Sequence, residues 1–398
     1  MAHTHVLDTL SLGKIVQIRE RLLKAQASGA KVFRFESGDP DFSVFPHVLK
    51  ALQDAATAGK THYIPNNGIP ELRTALRKKL ESKNKIVLPS DAGIFVTNGA
   101  MHALFVTFSA LLDEGDEVIV PDPMWTEVVE NIRLAKGIPV PVPLRPQSDF
   151  QYVPAEILAR ITNKTKAIFL NTPHNPTGAM LSAETLRKIL EIAKERNLWI
   201  ISDEAYEDVV YAPQVHHSIA SLDPSYLSKI VSIFSFSKSY AMSGLRIGYL
   251  ATTSEMLIDR LPKLLRCSIN GVNSVAQWTA LAAITGDQAP LQNMVDEYAV
   301  RRDIMLEGLK DIPGVHPFVP QGSFFAWVEL EPEIYRRLGV ADADGLSQWL
   351  AAKGIGSAPG DAFGKSCENA IRFAFSCSTK MVKEGVPVLR QALLGELT

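Results

Sequence analysis

A chain of 398 residues, 46% of them hydrophobic and 21% charged, is long enough for roughly two to three domains and a large core. Its 41 basic and 43 acidic side chains leave a formal charge of −2, which gives no general pull toward nucleic acid or an anionic membrane and makes small-molecule chemistry the first expectation. Three cysteines, Cys267, Cys367 and Cys377, occur without a CxxC spacing, so neither a disulfide framework nor a thiolate zinc site is indicated.

In chain order, the opening MAHTHVLDTLSLGKIVQIRERLLK turns charged and amphipathic where an export signal needs an apolar stretch and a cleavage site. A cytoplasmic location is therefore expected. No apolar run reaches the ~20 residues that span a bilayer, so no membrane role is expected. Residues 1–45 hold too little apolar sequence to fold alone and are expected to pack with a small domain.

A large domain is expected over residues 46–290. Within it the short apolar runs GIFVT, DEVIV, GIPVPV, TKAIFL, LWIIS, IVSIF and RIGYL alternate with segments of helical period. The helical segments include AMHALFVTFSALL, MWTEVVENIRLA and SAETLRKILEIAKERN, the last opening on Ser182 with Glu184 in its first turn. This pattern predicts an α/β fold: a mostly parallel seven-stranded sheet with helices on both faces. After Thr252 the chain reads as helical for some distance. Over residues 291–398 it then mixes strands such as FFAWVEL and AIRFAF with the helices ADGLSQWLAAKG and TKMVKEGVPVLRQALL, which predicts a smaller α+β domain.

In open parallel sheets, ligands bind beyond the carboxyl ends of the strands. Here GIFVT runs into NGAMH, TKAIFL into NTPHNPTG, LWIIS into DEAYED and IVSIF into SFSKS, so four polar clusters fall on one rim. A lone lysine at a strand end is ordinarily a solvated charge; one on which several clusters converge marks a candidate active site.

Each cluster suits a particular chemistry. The turn at Gly99, Ala100 and Met101 opens a helix straight after a strand, so its free N–H groups form an anion seat. Ser235, Ser237 and Arg246 add hydroxyl donors and a guanidinium, and together these groups specify a phosphorylated ligand. Asp203 leaves its strand beside Glu204 and needs a cationic or N–H partner, which a protonated pyridine nitrogen would supply. A lysine such as Lys238 that forms imines needs a carbonyl cofactor with an electron sink, which is pyridoxal 5′-phosphate. Arg372 stands amid apolar residues in IRFAF, where burial calls for a planar anion. His62, His102, His174, His216 and His217 show no metal-ligand spacing, and no metal is expected.

The motifs FESGDPDF, HYIPNNGIPELR, VTNGAMHAL, PDPMW, NTPHNPTG, SDEAYED, SFSKSYAMSGLRIGY, GSFFAW and IRFAF follow one another over nearly the whole chain. In order and spacing they resemble class I pyridoxal-phosphate-dependent aminotransferases of fold type I, nearest the bacterial aspartate aminotransferase branch. The resemblance implies that Lys238 forms the internal aldimine and that Arg246, Ser235 and the Gly99–Ala100–Met101 turn hold the phosphate. It implies that Asp203 partners the pyridinium nitrogen, that Asn175 and Tyr206 partner the ring phenolate oxygen, and that Trp125 stacks on the ring. Arg372, helped by Gly38 and Asn175, would grip the substrate α-carboxylate. Tyr63 would reach a partner subunit's phosphate, implying a homodimer with shared active sites. The implied reaction moves an amino group between an L-amino acid and a 2-oxo acid, with 2-oxoglutarate the expected acceptor, in a ping-pong cycle.

Three other readings deserve comparison. GDAFGKS at 360–366 lacks the spacing of a phosphate-binding loop and runs into a predicted strand. No basic extension suggests a DNA-binding regulator, and no nucleic-acid partner is expected. A pyridoxal-phosphate lyase or β-eliminating enzyme on the same scaffold is the serious alternative, because fold and cofactor do not fix the outcome. On the donor, Met101 stands where aspartate-preferring members can carry a lysine, and CSINGVNSVAQ offers Asn270 but no arginine. Neutral donors therefore stay open.

Overall fold

The computed structural model describes residues 6–10 and 13–397. Residues 1–5 and 11–12 of the expected N-terminal segment lie outside them.

Seven strands form one sheet: β1 (Ile94–Thr97), β2 (Glu117–Asp122), β3 (Ile138–Pro143), β4 (Thr165–Asn171), β5 (Trp199–Asp203), β6 (Ile230–Ser235) and β7 (Gly248–Ala251). Their order is β1-β7-β6-β5-β4-β2-β3. β3, β2, β4, β5 and β6 run parallel, while β7 pairs antiparallel with both β6 and β1. β1 thus points the same way as the parallel strands. The inner strands are apolar because both faces are covered, and successive residues serve opposite cores. Val118, Val120, Phe169 and Ile201 meet the helix Gly99–Leu111 in one cluster. Ile119, Ile168 and Ile200 meet the helix Ala183–Arg196 in the other. Pro139, Pro141 and Pro143 are tolerated in β3 because it is an edge strand bonded only to β2. Ser182 caps Ala183–Arg196 by accepting the Thr185 N–H at 3.0 Å.

A second, antiparallel sheet has the order β10-β11-β9-β8, with β8 (Val315–Pro317), β9 (Phe325–Leu330), β10 (Ala358–Pro359) and β11 (Ala370–Ala374). The helices Glu255–Ser268, Ser274–Thr285 and Ala289–Leu309 carry the chain from the large sheet to this one. The helix Lys14–Ala27 lies on the small sheet's side, where Ile18 and Leu22 pack with Val32 and Ala351. The GDAFGKS segment forms two tight turns, Gly360–Ala362 and Lys365–Cys367, before β11. A helix after its lysine, which a phosphate-binding loop requires, is absent.

Candidate active site

The carboxyl ends of β1, β4, β5 and β6 open on a cavity of about 510 Å3. Lys238 belongs to the short helix Phe236–Ser239 that follows β6, whose cap Ser235 accepts the Ser237 N–H at 3.1 Å. Its Nζ donates to the Gly38 carbonyl at 2.6 Å and lies 5.8 Å from the Tyr206 ring centre. Among the described residues no carboxylate forms an ion pair with it. Enclosure lowers its pKa to about 8, with Arg246 and Arg372 adding to the fall and Asp39 and Asp203 opposing it.

Asp203 ends β5, the strand beside β6. It is buried, and its Oδ1 accepts the Ala205 N–H at 3.1 Å. Burial raises its carboxyl to about 7, and Glu204 adds to the rise. Tyr206 is held edge-on by Phe324 and Phe325, at 5.4 and 5.8 Å between ring centres. Burial pushes its phenol upward too, so Tyr206 enters the site as a neutral hydroxyl.

Arg372 projects from β11 across the cavity and is only 3% exposed. One terminal nitrogen donates to Asn175 Oδ1 and the other to the Glu36 carbonyl, both at 2.9 Å, while Nε–H has no partner. Its plane lies over Phe325 at 4.2 Å and Phe363 at 4.8 Å. Burial lowers its pKa to about 10, still cationic at neutral pH. A buried guanidinium that lines a cavity with one N–H left without a partner has the chemistry to receive a planar anion.

On the opposite side, Gly99 starts its helix at φ +79°, and a Cβ there would lie 2.9 Å from Arg246 Nη2. The Arg246 guanidinium therefore rests against the helix N-terminus, donating to the Ser243 carbonyl at 2.7 Å. Ala100, Met101, Ser235, Ser237 and Arg246 all line the cavity. Gly99 does not, and acts instead as the backbone that admits Arg246. Trp125, just before the helix Thr126–Leu134, forms another wall.

The cavity thus gathers Gly38, Ala100, Met101, Trp125, Asn175, Asp203, Tyr206, Ser235, Ser237, Lys238, Arg246 and Arg372. Tyr63 lies elsewhere. It is 90% exposed, on a cleft of about 420 Å3 shared with Asn270 and residues 271–275. Sequence reasoning missed Ile15, Val16 and Arg19 from the helix Lys14–Ala27, and Glu127 beyond Trp125. Their helical period was readable, but which face would meet the cavity was not. Glu127 accepts from Thr126 Oγ1 at 3.0 Å, and burial raises its pKa against the pull of Arg372.

The donors fit pyridoxal 5′-phosphate. A helix start with two serines and an arginine suits the phosphate, a buried carboxyl suits a ring N–H, and an amine held by a backbone carbonyl and by no carboxylate suits an aldehyde. Among the described residues no group of three or more His, Cys, Asp or Glu could hold a metal ion. No helix there is long and apolar enough to cross a membrane.

Comparison with known proteins shows the family. Residues 30–389 match the family model for aminotransferase class I and II. An aspartate aminotransferase of Musicola paradisiaca is 33% identical over 96% of this chain and 94% of its own length. A probable aspartate/prephenate aminotransferase of Aquifex aeolicus is 36% identical over 94% of each. Among solved structures, Thermus thermophilus aspartate aminotransferase with maleate superposes with a TM-score of 0.91 at 29% identity, covering 98% of this chain and 99% of that one. The chain belongs to the class I aminotransferases, with the fold of that group. It is a transaminase, and its cofactor is pyridoxal 5′-phosphate.

Proposed function

We propose that the protein transfers the amino group of an L-amino acid to a 2-oxo acid in a ping-pong cycle, with Lys238 as covalent anchor and general base. The observation that carries this reading is that Asp203 at the end of β5 and Lys238 just past the end of the adjacent β6 line one cavity with the buried guanidinium of Arg372.

When bound, pyridoxal 5′-phosphate supplies an aldehyde that condenses with amines, Lys238 included, and a ring that takes up the electron pair left at the substrate α-carbon. Ser235, Ser237, Arg246 and the N–H groups after Gly99 would hold its phosphate. The Asp203 carboxylate would keep a proton on the ring nitrogen, which would offset the cost of its own burial. Asn175 and Tyr206 would supply hydrogen bonds to its ring substituents, and Trp125 would pack against it.

Arg372 seats the substrate carboxylate, fixing which bond at the α-carbon faces Lys238. The Lys238 amine, depressed toward 8, carries enough of its neutral form at neutral pH to take the α-proton. We take 2-oxoglutarate as the acceptor by likeness to the aspartate aminotransferase relatives. Arg19 lines the cavity on the N-terminal helix and offers its second carboxylate a cationic partner. Met101 brings no such charge, so neutral donors remain within the reading. We further propose a homodimer in which Tyr63, on its exposed cleft, completes the phosphate seat of a partner subunit.

The test is incubation of pure holoenzyme with one amino acid and no acceptor. Release of one 2-oxo acid per site without ammonia supports transamination, whereas continuous pyruvate and ammonia would establish the lyase alternative. Lys238→Ala should lose turnover while keeping its fold, and retained turnover would overturn the assignment. A screen of donors against 2-oxoglutarate, pyruvate and oxaloacetate then identifies the pair.

A further inference from the structure

Behind the cavity, away from its lining, a second group of charges runs from the buried Glu204 and Glu207 out to the half-exposed Lys83, and the proposed reaction does not use it. Glu204, the residue after Asp203, is fully buried and accepts from Ser202 Oγ at 3.0 Å, from His216 Nε2 at 2.8 Å and from Ser218 Oγ. Ser218 Oγ in turn accepts from Asn84 Nδ2 at 3.0 Å, and the same Nδ2 donates to Glu207 Oε2 at 2.7 Å. Glu207 pairs with Lys79 and lies 3.9 Å from Lys83, and Lys83 pairs with Asp208. Asp208 Oδ2 finally accepts from Ser239 Oγ at 2.6 Å. Ser239 is the residue after Lys238. An unbroken run of contacts therefore joins the neighbour of Asp203 to the neighbour of Lys238.

Local backbone serves this run. The helix Pro70–Lys79 passes into a wider π-type turn over Leu80–Asn84, an irregularity frequent at functional sites. That turn lets Lys79 and Asn84 reach inward, while Lys83 closes the run from the half-exposed side. Lys79 also lies over the ring of Phe234, a β6 residue, at 4.2 Å. Burial alone would push Glu207 up, yet Lys79 and Lys83 hold its pKa low. Glu207 is therefore ionised; Asn84 and Ser218 link it by neutral hydrogen-bonding groups to Glu204, and Ser239 bonds to Asp208 on the other side.

Stability is a poor reason for it. Desolvating paired ions costs several kcal/mol per ion, and apolar fillings of similar volume are commonly as stable or more so. What a satisfied buried network supplies, and an apolar filling does not, is one fixed geometry. We propose that this run is a brace that sets the spacing of the Lys238 amine and the Asp203 carboxylate, with Glu204, Asn84, Asp208 and Ser239 as positioning residues. The inference rests on the roles given above to Lys238 and Asp203.

The test is a double-mutant cycle on the holoenzyme with Ser239→Ala, Asn84→Ala and both together. Ser239→Ala removes one hydroxyl and leaves Asp208 paired with Lys83, so folding is retained. Each single variant should lower kcat about tenfold, as a small misplacement of a reacting group does, with KM within about twofold. Each should also shift the pH midpoint of the bound cofactor's absorbance. The double variant should be no worse than the worse single one, the mark of a shared unit. Effects that multiply, or a lowered melting temperature with kcat and the absorbance midpoint unchanged, overturn the brace. Ser218→Ala replaces Asn84→Ala should the latter fail to fold. Lys238→Ala serves as the reference. If its absorbance still titrates as in the parent protein, the assignment of Lys238 itself fails. If that titration is lost while Ser239→Ala is silent, the brace alone fails.

Discussion

Burial moves Lys238 and Asp203 in opposite directions, toward about 8 and about 7, so each resists its charged form before cofactor arrives. For Asp203 this has a consequence for stability. Below about pH 4 both folded and unfolded chains hold the proton and no penalty exists. As pH rises from there toward 7, the unfolded chain ionises while the buried carboxyl resists. The folded state loses ground over that window, and above about 7 the loss is complete. Asp203→Asn keeps an oxygen for the Ala205 N–H and escapes the penalty. In cofactor-free protein it should therefore be more stable than the parent by an amount that grows between about pH 4 and 7, to at most about 4 kcal/mol. Urea unfolding at the two pH values checks this, and an equal gap at both would contradict it. Arg372→Lys tests the anion seat separately. It replaces a planar fork by a point charge, and losing a hydrogen bond to a charged group costs about 1.5–3 kcal/mol. Steady-state kinetics should show kcat/KM for the amino donor falling between about 10- and 100-fold, with cofactor content unchanged.

At the scale of elements, the proposed phosphate seat depends on how β1 hands over to the helix Gly99–Leu111. Gly99 at φ +79° is a conformation that side chains resist, and a Cβ there would press on Arg246. Gly99→Ala should destabilise the cofactor-free protein by about 1 kcal/mol and weaken cofactor retention about tenfold, read by equilibrium dialysis. Undiminished retention would remove the seat from this turn. The handover itself was legible in sequence, since every apolar run from GIFVT to RIGYL became a strand and the four polar clusters fell on one rim. The reversal of β7 was not read. The link from Ser235 to Gly248 holds only the helix Phe236–Ser239 and the turn Ser243–Leu245, too little for a parallel crossover, and β7 returns antiparallel. The charges behind the site were hidden for a different reason. Asn84 and Glu207 are 123 positions apart, and neither LESKN nor DEAYED carries a local sign that they will meet.

At the scale of the whole molecule, the cavity described in one chain is furnished by both sheets: Lys238 and Asp203 from the large one, Arg372 from the small one. Tyr63 stands apart from the cavity and from the residues against it, on an exposed cleft. If it acts within its own chain, its exposure has no purpose; if it serves a partner subunit, both active sites of a dimer depend on both chains. Coexpressing Lys238→Ala and Tyr63→Ala chains with different tags, and purifying the mixed dimer, separates these cases. Acting in trans, both lesions fall on one site: the Lys238→Ala chain's cavity, which also receives the altered Tyr63. The other cavity keeps its own Lys238 and takes an intact Tyr63 from its partner. The mixed dimer should then show about half the parent's activity at limiting cofactor, while each parent variant dimer shows little or none. Acting in cis, each chain of the mixed dimer carries its own lesion, and mixing restores nothing. Absence of rescue in a dimer confirmed by sedimentation would return Tyr63 to its own chain and leave each subunit's site self-sufficient.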